Sequence, residues 1–374
     1  MPVNSVKARE FVEDCLQANL VPFLKGAPGI GKSSIVHAIA EAFDLKIIDT
    51  RLSQADPTDL NGFPKIENGK ATYMPFDTFP IVGDELPKRA NYEADLAECL
   101  KQGDFTQQDV DNNTGNFVKF DTANRHSGWL LFLDEFNSAP LSVQAAAYKL
   151  VLDHEVGKHP LHENVRIVCA GNRDCDNAIT TALSTAMLSR VVHIEMDSDA
   201  ELWDAWAFGA GIHHMIRDYI KYKPENVNNF DPEQTDDTFG CERTWEFANK
   251  LIQVWNGKIP ASKLPLLQGT IGMGLAQEFY NYTQVYKEIA DYATICANPK
   301  GTPVPQEPDR MFALTGVIAN GSDAATIGQA MDFVLRMPLE FQVITLKDVI
   351  KKDPAMANDP AVKTWVSANM NSLF

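Results

Sequence analysis

Residues 26–33 read Gly26-Ala27-Pro28-Gly29-Ile30-Gly31-Lys32-Ser33, a complete G-x-x-x-x-G-K-S pattern. That spacing suits the holding of a chain of phosphates. Gly26, Gly29 and Gly31 let the backbone curl so that its N–H groups face inward on phosphate oxygens. Ala27, Pro28 and Ile30 fill the loop between them, and Ser34 carries it into the following helix. Lys32 supplies a cation for the β- and γ-phosphates, and Ser33 a hydroxyl for Mg²⁺. The loop follows the apolar run LVPFLKG and opens the helical stretch SSIVHAIAEAFD, so the positive end of a helix lies at the same place. A chance glycine-rich turn is the alternative, and the flanking strand and helix argue against it.

A second group of residues complements the loop. In LLFLDEFN, residues 130–137, four apolar residues place Asp134 at the carboxyl end of a buried strand, where α/β sheets hold ligands. Asp134 is expected to hold Mg²⁺ together with Ser33, and Glu135 to polarise an attacking water as a base. Asn172 ends the next apolar run, VRIVCAGN; it either orients the water or γ-phosphate, or serves as a turn residue. Arg190, in LSTAMLSRVVHI, is either a surface cation or a finger reaching a neighbouring subunit's γ-phosphate. Arg243 opens a helix in CERTWEF, where a cation opposes the helix dipole, a mild misfit that hints at an anionic partner. His154, His159 and His162 read as a polar loop rather than a metal site. His213 and His214 are adjacent and are expected to face different ways on a helix.

The elements that must position these groups alternate along the first half of the chain. Apolar runs at LVPFLKG, 45–52, 129–135, 165–172 and 191–196 read as strands buried on both faces, with helices such as VQAAAYKLVLDH between them. Such alternation implies an α/β parallel sheet flanked by helices. A first helix over 6–18 is expected to turn Val6, Phe11, Val12 and Leu16 to one side. Residues 83–127, rich in Asp and Glu, read as an insertion with one short helix, NYEADLAECL, and as partly mobile. After residue 200 only helical patterns remain. The expected division is therefore 1–200 for the α/β domain and 201–374 for a helical lid with a C-terminal helical extension.

The chain has 374 residues, 45% of them hydrophobic, and a formal net charge of −17. That charge repels nucleic acid, and no basic run offsets it. No stretch of eighteen apolar residues occurs, so no membrane span is expected. MPVNSVKAREFVEDC lacks the apolar stretch of a secretory signal, and the six cysteines form no CxxC pair. Reduced thiols in the cytoplasm are the expectation.

With these residues assembled, the chain resembles the AAA+ P-loop ATPases and, within them, the MoxR-type group, especially the stand-alone members found often in phages and prophages. GAPGIGKS looks like Walker A and LLFLDEFNSAP like the Walker B strand with the group's D-E-x-N-x-A-P. Asn172 matches sensor 1, Arg190 the arginine finger, and Arg243 the residue of the sensor-2 helix. RLSQADPTDLNGFPKI is similar to the group's segment after the second strand, and HEVGKHPL to a short form of its hairpin insert. The resemblance implies ATP and Mg²⁺ as ligands, a homo-oligomeric ring, usually a hexamer, and ATP at subunit interfaces. It also implies a protein client or a separate partner with a von Willebrand factor A domain. The expected function is ATP-driven remodelling of a partner protein; a nucleic-acid motor or loader, or a nucleotide-switched scaffold, is the alternative.

Overall fold

Five apolar runs become the strands of one parallel sheet: β1 (Pro22–Gly26), β2 (Leu45–Arg51), β5 (Gly128–Asp134), β8 (Val165–Gly171) and β9 (Val192–Met196). The inner three, β1, β5 and β8, are buried on both faces as expected. The edge strands β2 and β9 are not, since β2 has no fully buried residue and only Ile194 and Met196 of β9 are buried. Two antiparallel hairpins intervene, β3 (Phe63–Glu67) with β4 (Lys70–Met74), and β6 (Glu155–Val156) with β7 (His159–Pro160). The computed structural model describes residues 2–67, 69–173, 175–176 and 181–369. These divide into two compact units, Met1–Asp197 and Ser198–Phe374.

The sheet order is β2–β5–β8–β1–β9. Successive residues of a strand serve opposite faces. Phe23, Leu131, Leu133, Ile167 and Cys169 join one core. Leu24, Leu130, Phe132, Val168, Ala170, Ile194 and Met196 join the other. The second core is covered by α1 (Ser5–Gln17) and α2 (Lys32–Ala42), the first by α3 (Pro57–Asn61) and α7 (Leu141–Asp153). On α1 the buried stripe is Ala8, Val12, Cys15 and Leu16. Val6 and Phe11, expected on that stripe, are exposed, and the Lys7 ammonium lies 5.3 Å from the Phe11 ring.

The acidic segment 83–127 holds three helices where the sequence reading saw one: α4 (Tyr92–Gln102), α5 (Gln107–Asn112) and α6 (Gly115–Ala123). Its apolar content is low but concentrated. Phe105 packs on Phe117 and Phe120 at 5.6 and 5.4 Å, and Phe120 on Tyr92 at 5.4 Å. Aromatic rings bury far more area per residue than the average composition suggests. Arg125 closes the segment on Glu85 and Asp121 at 2.7 and 2.8 Å. Arg89 ties it to Asp44, just before β2, at 2.8 Å. A last helix of this unit, α8 (Thr185–Leu188), precedes β9.

The second unit is helical, with two cores. Trp245, Tyr219 and Phe279 centre the one built from α9 (Ala200–Gly209), α10 (His214–Tyr222), α11 (Glu242–Val254), α12 (Leu264–Ile271) and α13 (Met273–Gln284). Phe333, Leu346 and Trp365 centre the other, from α14 (Tyr292–Ala297), α15 (Pro308–Gly321), α16 (Ile327–Val334), α17 (Leu339–Lys352) and α18 (Pro360–Ala368). Buried charges are paired here, as they must be. Arg217 meets Asp204 at 2.7 Å and Asp348 at 3.4 Å, while Asp218 accepts from the Tyr286 hydroxyl at 2.7 Å.

His213 and His214 stack at 4.5 Å instead of diverging, because His213 lies outside the helix as the N-cap of α10. Its side chain accepts from Met215 N. Burial, reinforced by His214 and opposed by Asp218, pushes the His213 imidazole down to about 4. The unfolded chain takes up this proton near the ordinary value of 6.5, whereas the folded chain refuses it until about 4. Stability should therefore fall as pH drops through that window, by on the order of 2–3 kcal/mol. His213→Asn keeps a capping acceptor and should flatten the pH dependence of denaturant unfolding there. Parallel curves for the two chains would show that His213 is not the cause.

Candidate active site

The phosphate loop is shaped by two different demands for glycine. Gly31 caps α2 with φ of 87°, and nothing lies within 4 Å of where its Cβ would stand. Its need is the left-handed backbone alone. Gly26 is in strand β1, and a Cβ there would sit 2.9 Å from the Met196 carbonyl oxygen. Its need is the close passage of β9. Gly29 shares the left-handed region, with φ of 78°. Ala27 and Ile30 are buried under the loop and anchor it, Pro28 is partly covered, and Ser34 is exposed on the first turn of α2.

Lys32 follows the cap and folds over the loop. Its Nζ donates to the Gly26 and Ala27 carbonyls at 2.8 and 3.0 Å and to Asn172 Oδ1 at 3.4 Å. Ser33 Oγ donates to Asp134 Oδ2 at 3.3 Å. Three carboxyl strand ends thus converge: the loop after β1, Asp134 at the end of β5, and Asn172 directly after β8. Ser33 and Asp134 offer only oxygen atoms, the donor set that a hard Mg²⁺ takes. On β2, burial and the neighbouring Asp134 charge raise the Asp49 carboxyl above its usual range, against the pull of His37 and Arg51.

Glu135 leaves the strand with φ of 55°, a left-handed conformation that is uncommon for a residue with a side chain. Such strain persists only where surrounding contacts hold it, and it clusters at functional sites. Two contacts hold it here. The Glu135 N–H donates to Asp134 Oδ1 at 2.8 Å, and the Ser53 hydroxyl donates to the Glu135 carboxylate. The turn sets the Glu135 carboxylate against Ser53 and brings Asn137 to the end of β8. Asn137 is 1% exposed. Its Nδ2 donates to the Asn172 carbonyl at 2.8 Å, and its Oδ1 accepts from Asn172 N–H at 3.1 Å.

Arg190 is exposed and is not gathered with these groups. Its Nη1 donates to the Ala186 carbonyl at 3.0 Å, one turn back along the chain. Arg243 is exposed on the first turn of α11, in the second unit. Of the three loop histidines, His159 lies against the Tyr73 carbonyl and His162 accepts from Asn164 N–H. No group of three metal-binding side chains occurs among the described residues. Sequence reasoning missed Ser53, for which no local signal exists. It also gave no role to Asn137, although the position stood in the motif D-E-x-N.

No protein-family model matches the chain, and no curated protein does. Solved structures align along it at low similarity. The replication initiator DnaA bound to AMPPCP and single-stranded DNA is 13% identical, with 100% of this chain and 96% of that one covered and a TM-score of 0.34. A DNA replication initiation factor is 14% identical, with 99% and 94% covered and a TM-score of 0.32. A mutant of Thermotoga maritima RuvB is 14% identical, with 89% and 88% covered and a TM-score of 0.34. Likenesses this remote leave the fold to be read from the sheet and the loop themselves. The first unit is an α/β P-loop fold, a five-stranded parallel sheet flanked by helices, and a helical region follows it.

Proposed function

We propose that the first unit binds MgATP and hydrolyses it, and that the chain works as a MoxR-type remodelling ATPase on a partner protein. The observation that carries this reading is the convergence of Lys32, Ser33, Asp134 and Asn172 at three neighbouring carboxyl strand ends. In this reading the loop N–H groups and Lys32 hold the phosphates. Ser33 and Asp134 hold Mg²⁺, which when bound neutralises charge on the phosphate oxygens. Glu135 takes the proton of the attacking water, with Ser53 fixing its carboxylate. Asn172 orients the γ-phosphate or the water.

Arg190 then serves a neighbouring copy. It is exposed, it sits just before β9, and among the described residues its side chain bonds to a backbone carbonyl rather than to a carboxylate, so its charge is available to an anion outside its own subunit. A homo-oligomeric ring, of six copies in this reading, follows from a finger in trans; Arg243 is the second-unit counterpart. A protein client is favoured over nucleic acid by the net charge of −17. It is favoured too by the β3–β4 hairpin, where Phe63, Ile66, Tyr73 and Met74 are all exposed, Ile66 to 81%.

Mixing two inactive variants tests the interface. Arg190→Ala should bind nucleotide normally and lose about 10³–10⁵ in turnover. Lys32→Ala should lose the nucleotide site and keep its finger. A mixed ring places an intact site beside an intact finger, so combining the two should restore phosphate release. Wild-type turnover by Arg190→Ala alone would reduce Arg190 to a surface cation and remove the trans arrangement.

A further inference from the structure

β5 and β8 pair in parallel as far as Leu133 and Cys169. Beyond that point β5 turns away at the left-handed Glu135. On the side facing β5, the peptide groups beyond Cys169 are left without a strand partner, while β1 still pairs with the other side as far as Gly171. The Asn137 side chain takes the missing place. A carboxamide presents a donor and an acceptor, as a peptide group does, and both are used on one residue, Asn172 N–H and C=O. Only one orientation of the amide satisfies both bonds. The fit is close: a Cβ on Gly171 would lie 2.1 Å from Asn137 Oδ1. The Asn137 carbonyl also accepts from Thr181 N–H at 2.6 Å, on the segment that leads to Arg190.

We infer that Asn137 is a positioning residue that sets Asn172 against Lys32 and the γ-phosphate by standing in for the strand that β5 no longer supplies. It acts through Asn172 and touches no reacting atom. The bridge spans two chain segments 35 residues apart, so a change in the acidic turn at 134–137 shifts Asn172 directly. Gly171 belongs to the same device, because any side chain there displaces the amide.

The inference rests on the proposed ATP hydrolysis, and two independent readouts separate them. The first is steady-state phosphate release with MgATP. A misplacement of about 1 Å at a reacting group can cost about 10²-fold. Asn137→Ala should lose kcat on that scale while KM and the nucleotide-induced thermal shift stay close to wild type. Asn137→Asp keeps the acceptor for Asn172 N–H, loses the donor and should fall between the two. The double variant Asn137→Ala/Asn172→Ala should be no slower than Asn172→Ala, because the first residue acts only through the second. The second readout is hydrogen exchange of the Asn172 amide, which Asn137→Ala should accelerate and Asn137→Asp should leave protected. Wild-type kcat in Asn137→Ala, additive losses in the double variant, or unchanged exchange at Asn172 would each overturn the inference. Absence of wild-type turnover would count against ATP hydrolysis itself, and the exchange readout would still decide the clamp.

Discussion

Glu135→Gln should bind MgATP as the wild type does and turn it over about 10²–10⁴-fold more slowly. Gln has the shape of Glu and one oxygen in reach of the Ser53 hydroxyl, so the strained turn keeps its side-chain anchor. Its backbone bond to Asp134 is untouched. Nothing changes at Ser33, Lys32 or the loop. What is lost is the carboxylate that would take the proton of the attacking water, since an amide oxygen is no base for it. Binding and chemistry should therefore separate cleanly, with equal thermal shifts in MgATP and a collapse of phosphate release, and the stalled variant should retain its partner protein in a pull-down. Unchanged turnover would assign the base to another group.

Lys32→Ala should remove nucleotide binding altogether. In the proposed site the ammonium faces the β- and γ-phosphates, and Ala leaves their charge to the loop N–H dipoles and Mg²⁺ alone. A ligand at 100 times its dissociation constant stabilises a protein by about 2.7 kcal/mol. For a domain of this size that corresponds to about 2–4 °C for each kcal/mol. The wild type should show this shift and Lys32→Ala none. The fold should survive, because the lost contacts include two bonds to loop carbonyls and one to Asn172, all in a part-buried setting at the loop rather than in a core. Equal shifts in the two chains would detach Lys32 from any phosphate.

The parts of this arrangement that are local in the chain were legible in the sequence. The loop at 26–33 declares itself because glycine placement, Lys32 and the strand–helix context all lie within a few residues. The buried strands were legible because parallel strands covered on both faces need continuous apolar runs. Through-space pairings were not. Ser53 and Glu135 are 82 residues apart, and what joins them is the left-handed turn at Glu135, which no pattern announces. Asn137 could be seen in the motif, but its partner follows from where β5 stops pairing with β8. The β3–β4 hairpin went unread although Asn68-Gly69 is a turn signal, because its apolar residues are exposed and leave no buried-face alternation. Segment 83–127 was judged on average polarity, whereas a few aromatic rings suffice to hold its helices together.

Phosphate release by the purified chain, measured across MgATP concentration beside Lys32→Ala and Glu135→Gln, tests the central claim most directly. The account predicts saturable release by the wild type, none above background from Lys32→Ala, release slowed about 10²–10⁴-fold in Glu135→Gln, and, of the two variants, nucleotide retained by Glu135→Gln alone. Release that persists in Lys32→Ala, or a wild type that binds MgATP without hydrolysing it, would contradict it.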